Sequence, residues 1–377
     1  MLSDKKEVVI IGAGFAGLTL AQRIFKYKKI LEVTVIDKKE NMEFLPLLPD
    51  CIGREINPDN LATNIKALSK LLNFKFINES VIELNIKNNL IVTTNNVIKY
   101  DYLIVASGSE PNFYGNNELK KLVYTINNIK DIKTIKEKLK ENFKNVVIIG
   151  AGYTGIEIAT NIKIYLNKYN KEAKVILIEK GDTILPALPT WIKKYVEKKL
   201  KDMDILIYTN SQIKRLDKNL IEINPSHLFD NALIIWSAGV KTASFIDNLN
   251  LEKNNQGRIK VNRFLQINNN SFAIGDAALF IHKDVSLRMA VQFAISQANC
   301  VAYNIISLIK NKKLKKFIPH DLGYIIPMAN NFSCGIILGV KVKGIIPTIM
   351  HFIMCIYRTN GIKNKICIIQ SLFKKYA

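Results

Sequence analysis

One end of this 377-residue chain lacks acid. No Asp or Glu follows Asp321, yet Lys341, Lys343, Arg358, Lys363, Lys365, Lys374 and Lys375 all fall in that stretch. The run Lys310, Lys312, Lys313, Lys315 and Lys316 lies just before it, and the overall formal charge is +22. A lysine-rich drift acting evenly would not strip every carboxylate from one end. The tail therefore points to an anionic partner, a membrane surface or a nucleic acid. Paired cysteines are missing as well. Cys51, Cys300, Cys334, Cys355 and Cys367 form no C-x-x-C, which argues for reduced thiols in a cytosolic setting. The four histidines, 227, 282, 320 and 351, show no ligand spacing, so no metal is expected. An apolar run of about 18 residues, the minimum for a spanning helix, is also absent. The nearest, Gly344 to Tyr357, contains Pro347 and His351, and suits a core helix or one lying in a membrane interface. Val8 to Ile11 is too short for the apolar region of a signal peptide.

What the chain does have, it has twice. VVIIGAGFAGLTLA begins at Val8 and VVIIGAGYTGIEIA at Val146, identical at nine of fourteen positions. Each β-branched run predicts a buried strand, and the spacing that follows predicts a glycine turn opening a helix. Gly12 permits the tight turn, Gly14 lets backbone approach a pyrophosphate, and Gly17 lets helix and strand pack closely. The next strand, EVTVID, ends at Asp37, placed for a ribose hydroxyl, with Lys38 beside it. Gly150, Gly152, Gly155 and a strand ending at Glu179 repeat the device. A carboxylate at 179 pairs with a 2′-hydroxyl and repels a 2′-phosphate, which favours NADH over NADPH, although Lys180 is adjacent. The repetition continues: residues 89–112 and 219–242 each read as a short hairpin, a buried strand and a small-residue turn, at Ser107-Gly108 and Ala238-Gly239. Whole domains are duplicated. Two dinucleotide sites imply one resident cofactor and one visitor, FAD and NAD(P)H.

Together with SFAIGDAA from Ser271, these motifs resemble the two-dinucleotide-domain flavoprotein oxidoreductases from about Lys6 to Ile306. The resemblance implies an α/β fold with two Rossmann-like domains, a discontinuous FAD domain and an inserted NAD domain. The expected boundaries are 1–112 and 239–320 for FAD, 113–238 for NAD(H), and 321–377 for a basic, amphipathic, membrane-docking region. It places non-covalent FAD on Gly12, Gly14, Gly17, Asp37, Lys38, Ser107, Gly108, Gly275 and Asp276. NADH falls to Gly150, Gly152, Gly155, Glu157, Glu179 and Gly239. Within that superfamily the chain is similar to the type II NADH dehydrogenases. The likeness rests on MEFLPLLPDCIG from Met42, GAGYTGIE from Gly150, IIWSAGVKT from Ile234 and VQFAISQANCVAYNI from Val291. It implies that Glu157 faces the nicotinamide and that Gln292 lies between flavin and quinone. Ser296 and Ala298 depart from the family's second glutamine and its glycine.

The reaction so implied carries two electrons from NADH through flavin to menaquinone or ubiquinone, without proton pumping. It is expected on the cytoplasmic, inner face of the cell membrane. Phe44, Leu45, Pro46, Leu47 and Leu48 would form an apolar wall near the flavin. Ile345, Ile346, Ile349, Phe352 and Ile353 would enter the bilayer; a homodimer interface is the tail's alternative use. Cys51 could form a sulfenic acid or a mixed disulfide. Bland readings stand beside these: Glu157 as a helix-dipole carboxylate on the first turn, Gln292 as a core amide, Cys51 as a buried, inert thiol. Rival functions are a soluble NAD(P)H diaphorase or ferredoxin reductase, and a basic flavoprotein like apoptosis-inducing factor acting by binding. The basic runs lack interleaved aromatics for base stacking, so no nucleic acid is expected.

Overall fold

A computed structural model describes residues 5–225 and 227–373; Lys374 and Lys375, the last two cations of the tail, lie outside them. Two compact units divide the chain. The first comprises residues 1–42, 63–110 and 240–321, the second 43–62, 111–239 and 322–377.

Five parallel strands form the sheet of the first unit: β1 (Lys6–Ile11), β2 (Leu31–Ile36), β3 (Lys75–Ile77), β4 (Tyr102–Val105) and, much later in the chain, β10 (Ser271–Ala273). Their order is β10-β4-β1-β2-β3. The second sheet has β5 (Tyr124–Thr125), β6 (Asn145–Ile149), β7 (Lys174–Ile178), β8 (Ile205–Tyr208) and β9 (Ala232–Trp236), in the order β5-β9-β6-β7-β8. The two orders superimpose strand for strand, except that the outermost strand comes late in the chain in one and early in the other. Val8, Val9 and Ile10 are fully buried, as are Val146, Val147 and Ile148. Strands covered on both faces have no polar side to show, hence the unbroken apolar runs.

Each unit also carries a three-stranded antiparallel ribbon, residues 81–99 in one and 213–229 in the other. The hairpins at 89–99 and 219–229 were expected; the third strand of each was not. Both ribbons are bulged at the same place, between Val81 and Glu83 and between Ile213 and Arg215. This shared irregularity extends the duplication from motif to whole domain.

Helix α1 (Phe15–Ile24) buries Ala16, Gly17, Leu18, Leu20, Ala21 and Ile24. In the second unit a short helix, α2 (Asp50–Gly53), follows the Phe44–Leu48 run and lies against the long helix α3 (Tyr153–Lys168). Phe44, Leu47 and Leu48 are buried and Leu45 faces out. Helix α4 (Val291–Ile309) belongs to the first unit. The tail opens as an antiparallel sheet, β11 (Gly323–Ile326), β12 (Ser333–Ile337) and β13 (Val340–Gly344), then forms α5 (Ile345–Arg358) and α6 (Ile362–Phe373). Pro347, Thr348, Phe352 and Cys355 form the inner face of α5. Phe352, expected to face outward, is buried because Arg54 covers its ring at 4.7 Å. Ile345, Ile346, Ile349 and Ile353 are exposed. Among the described residues no helix is long and apolar enough to cross a membrane.

Candidate active site

The first glycine turn has the shape its spacing demands. Gly12 sits at φ +105°, and a Cβ there would lie 2.3 Å from the carbonyl oxygen of Ala106. A Cβ on Gly17 would lie 1.9 Å from the Gly12 oxygen, so helix and turn touch through backbone alone. Around Gly14 there is open space. No acid occupies the first turn of α1 and no side chain caps it, which leaves its N–H groups and dipole for an anion. Asp37 accepts hydrogen bonds from the N–H of Ala13 at 2.7 Å and of Lys39 at 2.8 Å, so its carboxylate is locked beside the turn. Lys38 points to Glu110, 4.0 Å away. The Ser107 hydroxyl is buried with no hydrogen-bond partner among the described residues, next to the open Gly108 at φ +68°. An orphaned buried hydroxyl at the edge of a bare helix end fits a phosphate-bearing ligand.

The second turn repeats these details. Gly150 has φ +102°, a Cβ on Gly155 would lie 1.9 Å from the Gly150 oxygen, and Gly152 is open. Glu179 accepts from Ala151 N–H at 2.9 Å and Gly181 N–H at 2.9 Å, as Asp37 does in the first copy. Gly239 is crowded by the Tyr114 hydroxyl, 2.3 Å from where its Cβ would be.

In the first unit, Gly275 and Asp276 lie on a tight turn after β10. Asp276 accepts from the Ser109 hydroxyl at 2.8 Å. Burial pushes its carboxyl up, while Ser109 and Arg258 pull it back. Arg258 is itself buried, donating to the carbonyls of Ala278 and Leu287. The Gly275 N–H donates to Gln297 Oε1 at 2.7 Å. Gln297, not singled out from sequence, is buried and holds this turn; its signal was a second amide five residues after Gln292, on the inner face of α4. Gln292 donates to Asp321 at 3.1 Å, and Arg288 forks onto the same carboxylate. Ser296 bonds back to the Phe293 carbonyl at 3.1 Å, a small packing residue. Cys51 is buried and its thiol is pushed up by burial, the opposite of what a reactive thiolate needs.

Glu157 is the fifth residue of α3, past the first turn where a helix-dipole carboxylate was expected. Glu157 is half-buried. No hydrogen bond reaches its carboxyl among the described residues. Desolvation, helped by the charge of Asp50, raises its pKa well above the usual carboxylate range. Asp50 is buried too, and burial pushes it up to about 6 against the pull of Arg54. The unit thus holds a carboxyl of raised proton affinity one turn beyond a bare phosphate cradle.

Residues 6–298 match the model of the pyridine nucleotide-disulphide oxidoreductases. The chain belongs to that family. Within the family, it is 25% identical over 376 residues to the type II NADH:quinone oxidoreductase of Staphylococcus haemolyticus, covering 91% of this chain and 92% of the relative. Its identity to the protein of the same description from Haemophilus influenzae is 26% over 384 residues, 88% of this chain and 86% of that one. The structure of NDH2 from Plasmodium falciparum in complex with NADH matches in fold with a TM-score of 0.87 at 19% identity, over 99% of this chain and 98% of that one. The sulfide:quinone oxidoreductase of Aquifex aeolicus matches at 0.81 and 18%, over 93% and 90%. Although the family is described by its disulphide chemistry, all five cysteines here are free, and no two share a C-x-x-C.

Proposed function

We propose that this oxidoreductase takes a hydride from NADH and delivers two electrons to a quinone, at a membrane surface and without moving protons across it. The doubled cradle carries the reading: two bare helix ends, each with an open glycine and a backbone-locked carboxylate, are provision for two dinucleotides. Gly12, Gly14, Gly17, Asp37, Lys38, Ser107, Gly108, Gly275 and Asp276 would hold FAD, with Ser109 and Gln297 fixing the last two. Gly150, Gly152, Gly155, Glu157, Glu179 and Gly239 would hold NADH. Bound FAD supplies the two-electron chemistry. The quinone reading rests on likeness to the curated relatives over some nine-tenths of the chain.

The side chains have definite tasks. Glu179, fixed by two N–H groups, presents negative charge where NADPH would bring a phosphate. Glu157, its proton affinity raised by burial, faces the nicotinamide. Gln292, held by Asp321, faces the acceptor. On the tail, the outer face of α5 and α6 exposes Ile345, Ile346, Ile349, Ile353, Ile362 and Ile366, flanked by Lys341, Arg358, Lys363 and Lys365. Such a face lies on an anionic bilayer. Each cation near the surface contributes about 1 kcal/mol, and each half-exposed isoleucine about as much again on burial.

The deciding experiment is anaerobic. NADH should bleach the yellow FAD-loaded protein, and menadione should restore the colour. Bleaching without reoxidation by menadione or ubiquinone would remove the quinone and leave a diaphorase; no bleaching would remove the enzyme.

A further inference from the structure

The basic run from Lys310 to Lys316 has no task in the reaction assigned above, yet the first unit holds it firmly. Helix α4 ends in a Schellman arrangement. Lys312 N–H donates to the Ser307 carbonyl at 2.7 Å and Asn311 N–H to the Leu308 carbonyl at 3.1 Å, with Asn311 left-handed at φ +50°. Lys310 is the cap residue, and Lys312 stands two places beyond it. That place often carries an apolar side chain folded back on the helix; here it carries an exposed cation. Buried Asn304 then fixes the segment that follows, accepting from Lys315 N–H at 2.7 Å and donating to the Lys315 carbonyl at 3.0 Å. The end of α1 meets this cap. Arg23 lies in the last turn of α1, and a 3-10 turn, Phe25–Tyr27, carries Lys26 and Tyr27 onward. Arg23 Nε donates to Asn299 Oδ1 of α4 at 2.7 Å, which ties the two helices together. Arg23, Lys26, Lys310 and Lys312 all line one cavity of about 350 Å³. The ammonium groups of Lys26 and Lys310 stand 5.4 and 5.6 Å from the centre of the Tyr27 ring, one from each element. No Asp or Glu lines the cavity, and none of its four cations pairs with a carboxylate among the described residues.

Four like charges around one concavity repel, and a merely solvated face would spread them. Helix dipoles account for Arg23 and Lys310, each at a helix end, but that effect fades within the last turn and does not reach Lys312. Contact with the Tyr27 ring accounts for Lys26 and Lys310 and leaves Arg23 and Lys312. A multiply charged anion accounts for all four. We propose that this cavity binds an anion carrying two phosphates. A single phosphate group brings about two negative charges at neutral pH and would leave half of the cations unanswered. Two phosphates match the four. Arg23 presents a planar fork to phosphate oxygens, and the three lysines act as point charges around it. The side chains of Tyr27 and Tyr303 line the same space and offer hydroxyls to the remaining oxygens. A free nucleoside diphosphate and the headgroup of a lipid with two phosphates share this chemistry.

Titration calorimetry of the full chain tests this with inorganic pyrophosphate as the probe. The protein is loaded with FAD and saturated with NAD⁺, so that both glycine cradles are filled. One further site is expected, and its affinity should fall as salt is raised. Lys26→Gln with Lys312→Gln should weaken it by about tenfold or more, whereas Lys26→Arg with Lys312→Arg should retain it. Both lysines are exposed and neither belongs to a cradle, so FAD content and NADH oxidation should be unchanged in both pairs. Two more arms identify the source. ADP affinity that drops in the glutamine pair, with sedimentation on diphosphatidylglycerol vesicles unchanged, assigns a free nucleotide. Vesicle binding that drops, with ADP ignored by wild type, assigns a lipid headgroup. Absence of the further site, or a site of equal affinity in wild type and the glutamine pair, overturns the proposal. Failure of NAD⁺ to fill the second cradle would count against the function proposed above and not against this cavity, because the glutamine pair still tells the two sites apart.

Discussion

Glu157 and His351 make opposite demands on pH. A carboxyl of raised proton affinity at 157 should matter through its proton. Glu157→Gln keeps the shape and one donor, and should lower kcat/KM for NADH by about tenfold; Glu157→Ala, which loses both, by about a hundredfold, or roughly 1.4 and 2.7 kcal/mol. Steady-state rates with menadione check both. The buried pair Asp50–His351, 3.9 Å apart, bears on stability. His351 is pushed from 6.5 down to about 4 by burial. The unfolded chain therefore binds its proton first, and acidification from 6.5 to 4 costs about 3 kcal/mol. Asp50 is pushed from 3.8 up to about 6. The folded chain binds that proton first, so acidification from 6 to 3.8 returns about as much. The two nearly cancel. Denaturant melts at pH 7 and 4.5 should change little in wild type, whereas His351→Gln should become more stable at the acid pH. At this scale the sequence was legible wherever chemistry follows a short spacing: Asp37, Glu179 and Asp276 each end or follow a strand, and each has its carboxylate fixed. It was illegible where partners come from far apart. Nothing near Asp50 foretells a histidine 301 positions later, and Cys51 drew notice that belonged to its neighbour.

Among the elements, the glycine turns separate packing from binding. Gly17→Ala would drive a methyl into the Gly12 carbonyl, so loss of fold in the first unit is expected, by well over the usual 1–3 kcal/mol of overpacking. Gly14→Ala meets open space. That variant should melt within about 1 kcal/mol of wild type yet retain less FAD, because its methyl occupies the approach of the phosphate. Absorbance of the purified variants after gel filtration, set beside their melting temperatures, separates the two effects. Gln297→Leu should also cost FAD, by freeing the Gly275 N–H that the amide holds. Buried β-branched runs and glycine spacing announced the strands and turns of both sheets. The first strand of each ribbon did not announce itself, because half-exposed residues such as those of Val81–Asn85 lack a steady alternation. The tail's sheet was hidden too: its sequence reads as scattered apolar and basic residues, and its pairing is set by Gly323 and Gly335, where strands pass within backbone contact.

Across the whole molecule, the tail and the duplication matter most. Lys363→Glu with Lys365→Glu reverses two charges beside the exposed isoleucines of α6. Affinity for vesicles rich in anionic lipid should fall by a hundredfold or more, on the scale of about 1 kcal/mol per charge, with neutral vesicles little affected. Equal sedimentation of wild type and variant with anionic vesicles would sink the docking role. The duplication was plain in the sequence because strand, glycine turn, acidic strand end and hairpin recur in the same order. The company kept by residues 43–62 and 322–377 was not, since both pack on the second unit from outside its repeated core.

The outermost strands have one more consequence. The second sheet takes its edge strand from Tyr124–Thr125, so all five of its strands have been made once Trp236 is added. The first sheet, though begun at Lys6, waits for Ser271–Ala273. During synthesis, the half that starts later is therefore the first whose sheet can close. The opening glycine turn must pass through much of translation beside an unfinished edge.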